Sequence, residues 1–515
     1  MSFITLPLEI HCKIISYLLS NSDVAALSIQ CRTLHSICDM ASRKRYHQID
    51  ISEAELSVDD SFNFLMEILK QPHLALYVRH LKYRVPISRR SDYKEAEPMR
   101  ELSSEDMSLI RNAVKMGGFT GPKQDRVVNM LMQRMDYTLG SFGCYRKRES
   151  FQTFITQALA AIILAVSPNI VSITTTNPHP GYSAFEFPLY QFLHLENESS
   201  GSKRHLCNLR SVYMISKTDS TWEDGRFYIP MKLNTFINLF DKLPSIESIS
   251  TDVMEEDENE DPGFKKGSSN VNMISVCHSS VSSTYLAGLM WSCKALKEFR
   301  YSIGGRSTND GGHPILNAKA LIKAMCGHKE TIEIIDIDAE NDIYVLERND
   351  AEEIERDFNN SGSPYEDGLD DDQCKMLRSI WKNSGSLSDF KSLKSLSLGV
   401  KLLSYFAKDV SWSSGKMSER VIVANCLPDT LEYLCVRGYQ KGKDAEDDEQ
   451  MNALMAFYKS GQSHLKELRG IEELIPHASY VDNPDEDGHL LWPFEQESDV
   501  EDESDSEEEE GEEEE

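Results

Sequence analysis

Between residues 6 and 39 the apolar positions fall at helical spacing. Ile10, Ile14, Tyr17 and Leu18 stand at offsets 0, 4, 7 and 8, one face of a helix. Pro7 suits its first turn, where no intrahelical N–H bond is lost. Asn21 and Ser22 are capping residues, and Asp23 is a carboxylate placed where a helix N-terminus favours one. Val24, Leu27, Cys31, Leu34 and Cys38 then follow at steps of 3, 4, 3 and 4, which predicts two further short helices divided near Cys31. So short a bundle cannot close a core of ordinary size, so an apolar face is left for another polypeptide or for the domain behind it.

Downstream the period changes. Apolar residues recur at offsets 0, 3 and 5, the signature of a short strand entered by a turn, as in Leu393, Leu396 and Leu398 or Leu431, Leu434 and Val436. Counting from the first apolar position, copies begin at Ile170, Leu209, Ile246, Leu296, Ile332, Leu393, Leu431 and Leu465, at intervals of 39, 37, 50, 36, 61, 38 and 34 residues. Several follow helix-like stretches such as TYLAGLMWSC and NAKALIKAMCG. The two long intervals contain acidic segments, read as solvated inserts at 252–270 and 347–372 that swell a unit without altering its core. An earlier strand is expected at Leu81 to Val85, and Ser150 to Val166 reads as a buried helix because apolar residues occupy most of its faces. Whether the copies are true repeats or a non-repetitive α/β domain in which the pattern recurs, helices alternating with short apolar strands predict an α/β fold with a parallel sheet.

The run Leu6-Pro7-x-Glu9-Ile10, followed by Ile14, Tyr17-Leu18, Asp23-Val24, Leu27 and Cys31-Arg32, resembles an F-box, the adaptor-binding module of SCF-type ubiquitin ligases. The likeness covers about a tenth of the chain, and Ile37 stands where many members carry an aromatic residue. It implies that Leu6, Pro7, Ile10, Ile14, Leu18 and Leu27 dock on a Skp-type adaptor. The strand pattern is similar to the irregular leucine-rich repeats found behind F-boxes in many fungal proteins, although no Asn or Cys follows the strand. The implied architecture is a three-helix F-box at 1–48, a helical linker and start of the repeat domain at 49–165, a leucine-rich-repeat-like solenoid at 166–480, and a disordered acidic tail at 481–515.

Charge supports protein partners. The 515 residues hold 54 Lys plus Arg against 84 Asp plus Glu, a net charge of −30. Fifteen acidic and no basic residues lie within 495–515. Nucleic acid and anionic membrane surfaces would repel such a chain, whereas basic proteins would not. Ser498, Ser504 and Ser506 each precede an acidic residue by three positions, resembling sites of acidophilic kinases. Eleven cysteines without a CxxC pair point to a reducing compartment, and with no secretory signal or membrane-length apolar run the expected location is cytoplasmic or nuclear.

No phosphate-binding, dinucleotide, zinc-protease or nucleophile-elbow motif occurs in the sequence. The glycine-rich stretch 304–313 reads as a loop, His278, His313 and His328 as surface or loop residues, and Cys31, Cys38, Cys426 and Cys435 as small hydrophobes. No cofactor, metal or catalytic residue is expected. The resemblance implies a non-catalytic substrate receptor that binds the adaptor and cullin scaffold at one end and a protein target at the other. A scaffold or chaperone-like binder of basic proteins acting outside ubiquitylation is the alternative, with a concealed hydrolase a distant third.

Overall fold

The computed structural model describes residues 6–18, 21–52, 55–85, 98–134, 145–176, 187–199, 205–215, 231–252, 254–256, 264–279, 281–303, 318–339, 371–407, 421–461 and 464–477. Four short helices come first: α1 (Leu8–Ser16), α2 (Asn21–Ser28), α3 (Arg32–Cys38) and α4 (Met40–Tyr46). The division near Cys31 falls where the spacing puts it, since Cys31 is extended and precedes α3. The fourth helix is additional to the three expected. Asp39, at a left-handed φ of 44°, separates α3 from α4, and its carboxylate accepts the Ser42 N–H at 3.3 Å.

The strands among the described residues are β1 (Gln48–Ile51), β2 (His80–Tyr83), β3 (Ser172–Thr176), β4 (Ser211–Ile215), β5 (Met231–Lys232), β6 (Ser248–Asp252), β7 (Met254–Glu255), β8 (Met273–Cys277), β9 (Glu298–Ser302), β10 (Ile334–Asp338), β11 (Ser395–Gly399), β12 (Tyr433–Arg437) and β13 (Glu467–Arg469). Eleven of them form one parallel open sheet whose spatial order is their order along the chain; β5 and β7 pair separately. Helices fill the connections: α5 (Glu55–Lys70), α6 (Ser104–Met116), α7 (Pro122–Leu131), α8 (Tyr145–Val166), α9 (Pro188–Glu198), α10 (Leu233–Ile237), α11 (Ser283–Ser292), α12 (Ala318–Cys326), α13 (Asp371–Trp381), α14 (Val400–Ala407) and α15 (Ala445–Lys459). The chain is thus mixed α/β, as its periodicity predicts. No helix among the described residues is long and apolar enough to cross a membrane.

The offsets 0, 3 and 5 become three rows across the sheet. At offset 3, Ile49, Leu81, Ile173, Val212, Ile249, Ile274, Phe299, Ile335, Leu396, Leu434 and Leu468 are register partners from strand to strand. All but the last are fully buried, and they join one continuous core running from Tyr46 to Leu465. Within α8 every residue from Thr153 to Ala165 is buried, as its apolar composition predicts.

Polar residues form rows of their own. One position before the first apolar residue, Asn169, Asn208, Asn270, Thr331, Ser392 and Thr430 each donate to a backbone carbonyl of the preceding unit, at 2.7–2.9 Å. One position after the first apolar residue, Lys297, Glu333, Lys394, Glu432 and Lys466 alternate in sign, with Lys394–Glu333 at 2.6 Å and Lys466–Glu432 at 2.7 Å.

Two further strands carry the same spacing outside the copies counted from the sequence. The sheet begins at β1, not at Leu81, because Tyr46, Ile49 and Ile51 already carry the 0, 3, 5 spacing. Val271, Ile274 and Val276 carry it again in β8, dividing the 50-residue interval into two of 25. The segment 252–270 is therefore not simply a solvated insert. Met254 is fully buried, Met254–Glu255 pairs with Met231–Lys232, and Glu256 accepts the Ser282 N–H at 2.9 Å. Of the 347–372 insert only Asp371 and Asp372 are described, opening α13; the rest, the 304–313 stretch and the 481–515 tail lie outside the described residues.

Candidate protein-docking surfaces

Helix α1 carries two apolar stripes one residue apart. His11 and Ile15 are buried, and Ile15 forms with Val24 and Cys38 a small core, separate from that of the sheet, against which Leu18, Leu27, Ile37 and Met40 pack. The neighbouring stripe faces away: Pro7 is exposed, Ile10 is 42% and Tyr17 70% exposed, Ile14 is half-buried, and Leu8 is 57% exposed beside them. Of the six residues singled out from the sequence, Pro7, Ile10 and Ile14 line this outer stripe, Leu6 is half-buried, and Leu18 and Leu27 serve the inner core. His11 and Ile15 repeat the four-residue step of Ile10 and Ile14 one position further on, so spacing alone does not distinguish the buried pair from the outer one.

The second surface is the strand face opposite the apolar rows, where successive side chains alternate. Ser172 and Thr174 of β3 are buried on this side, and from β4 onward the face is half-buried and rich in hydroxyls: Ser211, Tyr213, Ser248, Ser250 and Ser275. Burial raises the Tyr213 pKa, and the charge of Asp252 adds to the effect. Toward β9–β12 the face becomes charged. Arg437 reaches Asp336 at 3.1 Å and Asp338 at 3.7 Å, and Arg300 reaches Glu298 at 2.5 Å and Asp336 at 3.6 Å. Burial works to lower the Arg437 pKa, but the two carboxylates outweigh it and the net shift is upward.

Three histidines take structural positions. His278 has a left-handed φ of 46° and meets Asp252 through Nδ1 at 2.9 Å. His328 lies in the turn between α12 and β10, in keeping with a loop position, but is half-buried: its Nε2 lies 2.9 Å from the Met290 carbonyl, and its Nδ1 accepts the Leu296 N–H at 3.3 Å. His477 meets Asp338 at 2.9 Å. Cys38 and Cys435 are buried and Cys31 and Cys426 half-buried, as their apolar spacing predicts. Among the described residues no group of His, Cys, Asp or Glu is arranged to hold a metal ion. The arrangement suits recognition of another polypeptide: an apolar helix stripe at one end, and a long sheet face of hydroxyls and paired charges. No known family model matches this sequence, and no curated protein matches it.

Proposed function

We propose that the chain is a substrate-receptor subunit of an SCF-type ubiquitin ligase, with residues 6–46 acting as an F-box and the sheet domain as a leucine-rich-repeat-like solenoid that holds a protein target. The observation that carries the reading is the outer stripe of α1. Pro7, Ile10, Ile14 and Tyr17 present apolar surface to solvent while His11 and Ile15 close the interior beneath them. An apolar stripe left uncovered by its own core marks an interaction site. The chain would tether its target and transfer nothing itself, so acceleration comes from raised effective concentration of target lysines near the loaded enzyme.

The test is affinity purification of the intact chain beside an Ile10→Asp, Ile14→Asp variant. The unaltered chain should bring down a Skp-type adaptor together with cullin. In the variant each carboxylate would have to be desolvated at an apolar interface, costing several kcal/mol in all, so adaptor recovery should fall below about a tenth while direct targets remain. Undiminished adaptor recovery would refute the assignment, and adaptor without cullin would favour a scaffold role.

A further inference from the structure

Where the helical unit meets the sheet, each side lends the other an arginine. Arg43 on α4 is 6% exposed, its Nε donates to the Cys38 carbonyl at the end of α3 at 2.8 Å, and its guanidinium lies 4.5 Å above the ring of Tyr77, which precedes β2. Arg79, 4% exposed and also ahead of β2, points back. Its Nη2 lies 3.5 Å from the Leu18 carbonyl just beyond α1, and its Nη1 lies 3.3 Å from the Asn169 carbonyl beyond α8. The Arg79 backbone is itself fixed, donating to the His47 carbonyl and accepting from Val171 N–H.

Neither guanidinium has a carboxylate within ion-pair distance among the described residues. Burial, reinforced by the like charge of Arg43, lowers the Arg79 pKa. What compensates these buried charges is the partial negative charge of carbonyls near helix C-termini, together with an aromatic face. Those acceptors come from both sides of the junction. Rotating the helical unit would withdraw Leu18 from Arg79 and Tyr77 from Arg43, leaving two buried cations with fewer partners.

We propose that Arg43 and Arg79 form a reciprocal clamp that holds the helical unit at one orientation on the sheet, so that the Ile10–Ile14 stripe and the strand face are presented as one rigid body. They are positioning residues for the ligase role, and that part of the inference rests on the function proposed above. Arg45 and Tyr46, both bonded to Glu67 on α5, brace α4 from the outside.

Two measurements on the full chain test the clamp. Spin labels carried on non-natural residues at the exposed positions Ser36 on α3 and Lys115 on α6 report the distance between the two units. The unaltered chain should give one narrow distribution, Arg79→Ala and Tyr77→Leu at least a doubling of its width, and Arg79→Lys an intermediate width. Unchanged widths in folded variants would overturn the clamp; should Arg79→Ala fail to fold, Tyr77→Leu and Arg79→Lys decide.

In a ligase reconstituted with adaptor and cullin, the same variants should keep adaptor capture within about twofold. Ubiquitin transfer to the chain's own lysines should drop at least threefold, with partial rescue by Arg79→Lys. Equal transfer by all variants would overturn the positioning role. If the unaltered chain captures no adaptor, the ligase reading fails while the distance measurement still decides the clamp.

Discussion

His80 sits beside this junction, its ring 4.7 Å from that of His47 and its Nδ1 2.6 Å from Ser172 Oγ. Burial, together with the charges of His47, Arg79 and Lys82, pulls its pKa down to about 4. A histidine free in the unfolded chain titrates near 6.5, so below that pH the unfolded state takes up the proton first. Stability is therefore intact above about pH 6.5 and is lost as pH falls toward 4, by about 2–3 kcal/mol allowing for partial hydration of the ring. A His80→Gln variant should show a visibly flatter loss of thermal midpoint over that range; an identical slope would remove His80 as the cause. Single residues also mark where the sequence could be read and where it could not. The spacing of Ile10 and Ile14 identifies α1 as amphipathic, but it does not separate the outer stripe from the inner one, because adjacent positions on a helix are only about 100° apart and both repeat every four residues.

The strand unit is legible where an apolar helix leads into it, as the almost wholly buried α11 leads to β9 and the amphipathic α12 to β10. It was missed at β1, whose first apolar residue, Tyr46, is also the last residue of α4, and at β8, which follows an acidic stretch instead of a helical period. The polar row was invisible for another reason: Asn, Ser and Thr are interchangeable in accepting this task, so no single letter repeats. Its contribution can be measured at Asn270, whose Nδ2 donates to the Leu243 carbonyl at 2.9 Å. Asn270→Ala should cost about 1 kcal/mol in urea unfolding, and Asn270→Asp more, since a carboxylate would then face a carbonyl. Gly470 ends β13 at a φ of 84°, and an added Cβ would lie 1.8 Å from the Val436 carbonyl. Gly470→Ala should accordingly lower stability by about 2 kcal/mol or more and speed hydrogen exchange in β12 and β13.

Across the whole molecule the rows act together. Leu396 stands ninth of the eleven residues in the offset-3 row, with a strand on either side, and is fully buried; Leu396→Ala should cost about 3 kcal/mol by cavity formation, whereas Leu468→Ala at the half-buried last strand should cost clearly less in the same denaturation series. The alternating charges behave differently because water reaches them. Lys394→Glu would set three carboxylates in succession with Glu333 and Glu432, so the thermal midpoint should drop at low salt and recover in about 0.5 M sodium chloride, where screening is short-ranged. An effect insensitive to salt would assign the loss to packing instead. Since the eleven strands of the large sheet lie in the order in which the chain visits them, length is a free variable of this fold. Excising residues 271–295, one 25-residue unit, would bring the Ile246 unit directly against the Leu296 unit with every row still aligned. The shortened chain should still unfold in one cooperative urea transition, its sheet reduced by one strand spacing of about 4.8 Å, a ruler with one graduation removed; loss of that transition would show that the excised unit is indispensable.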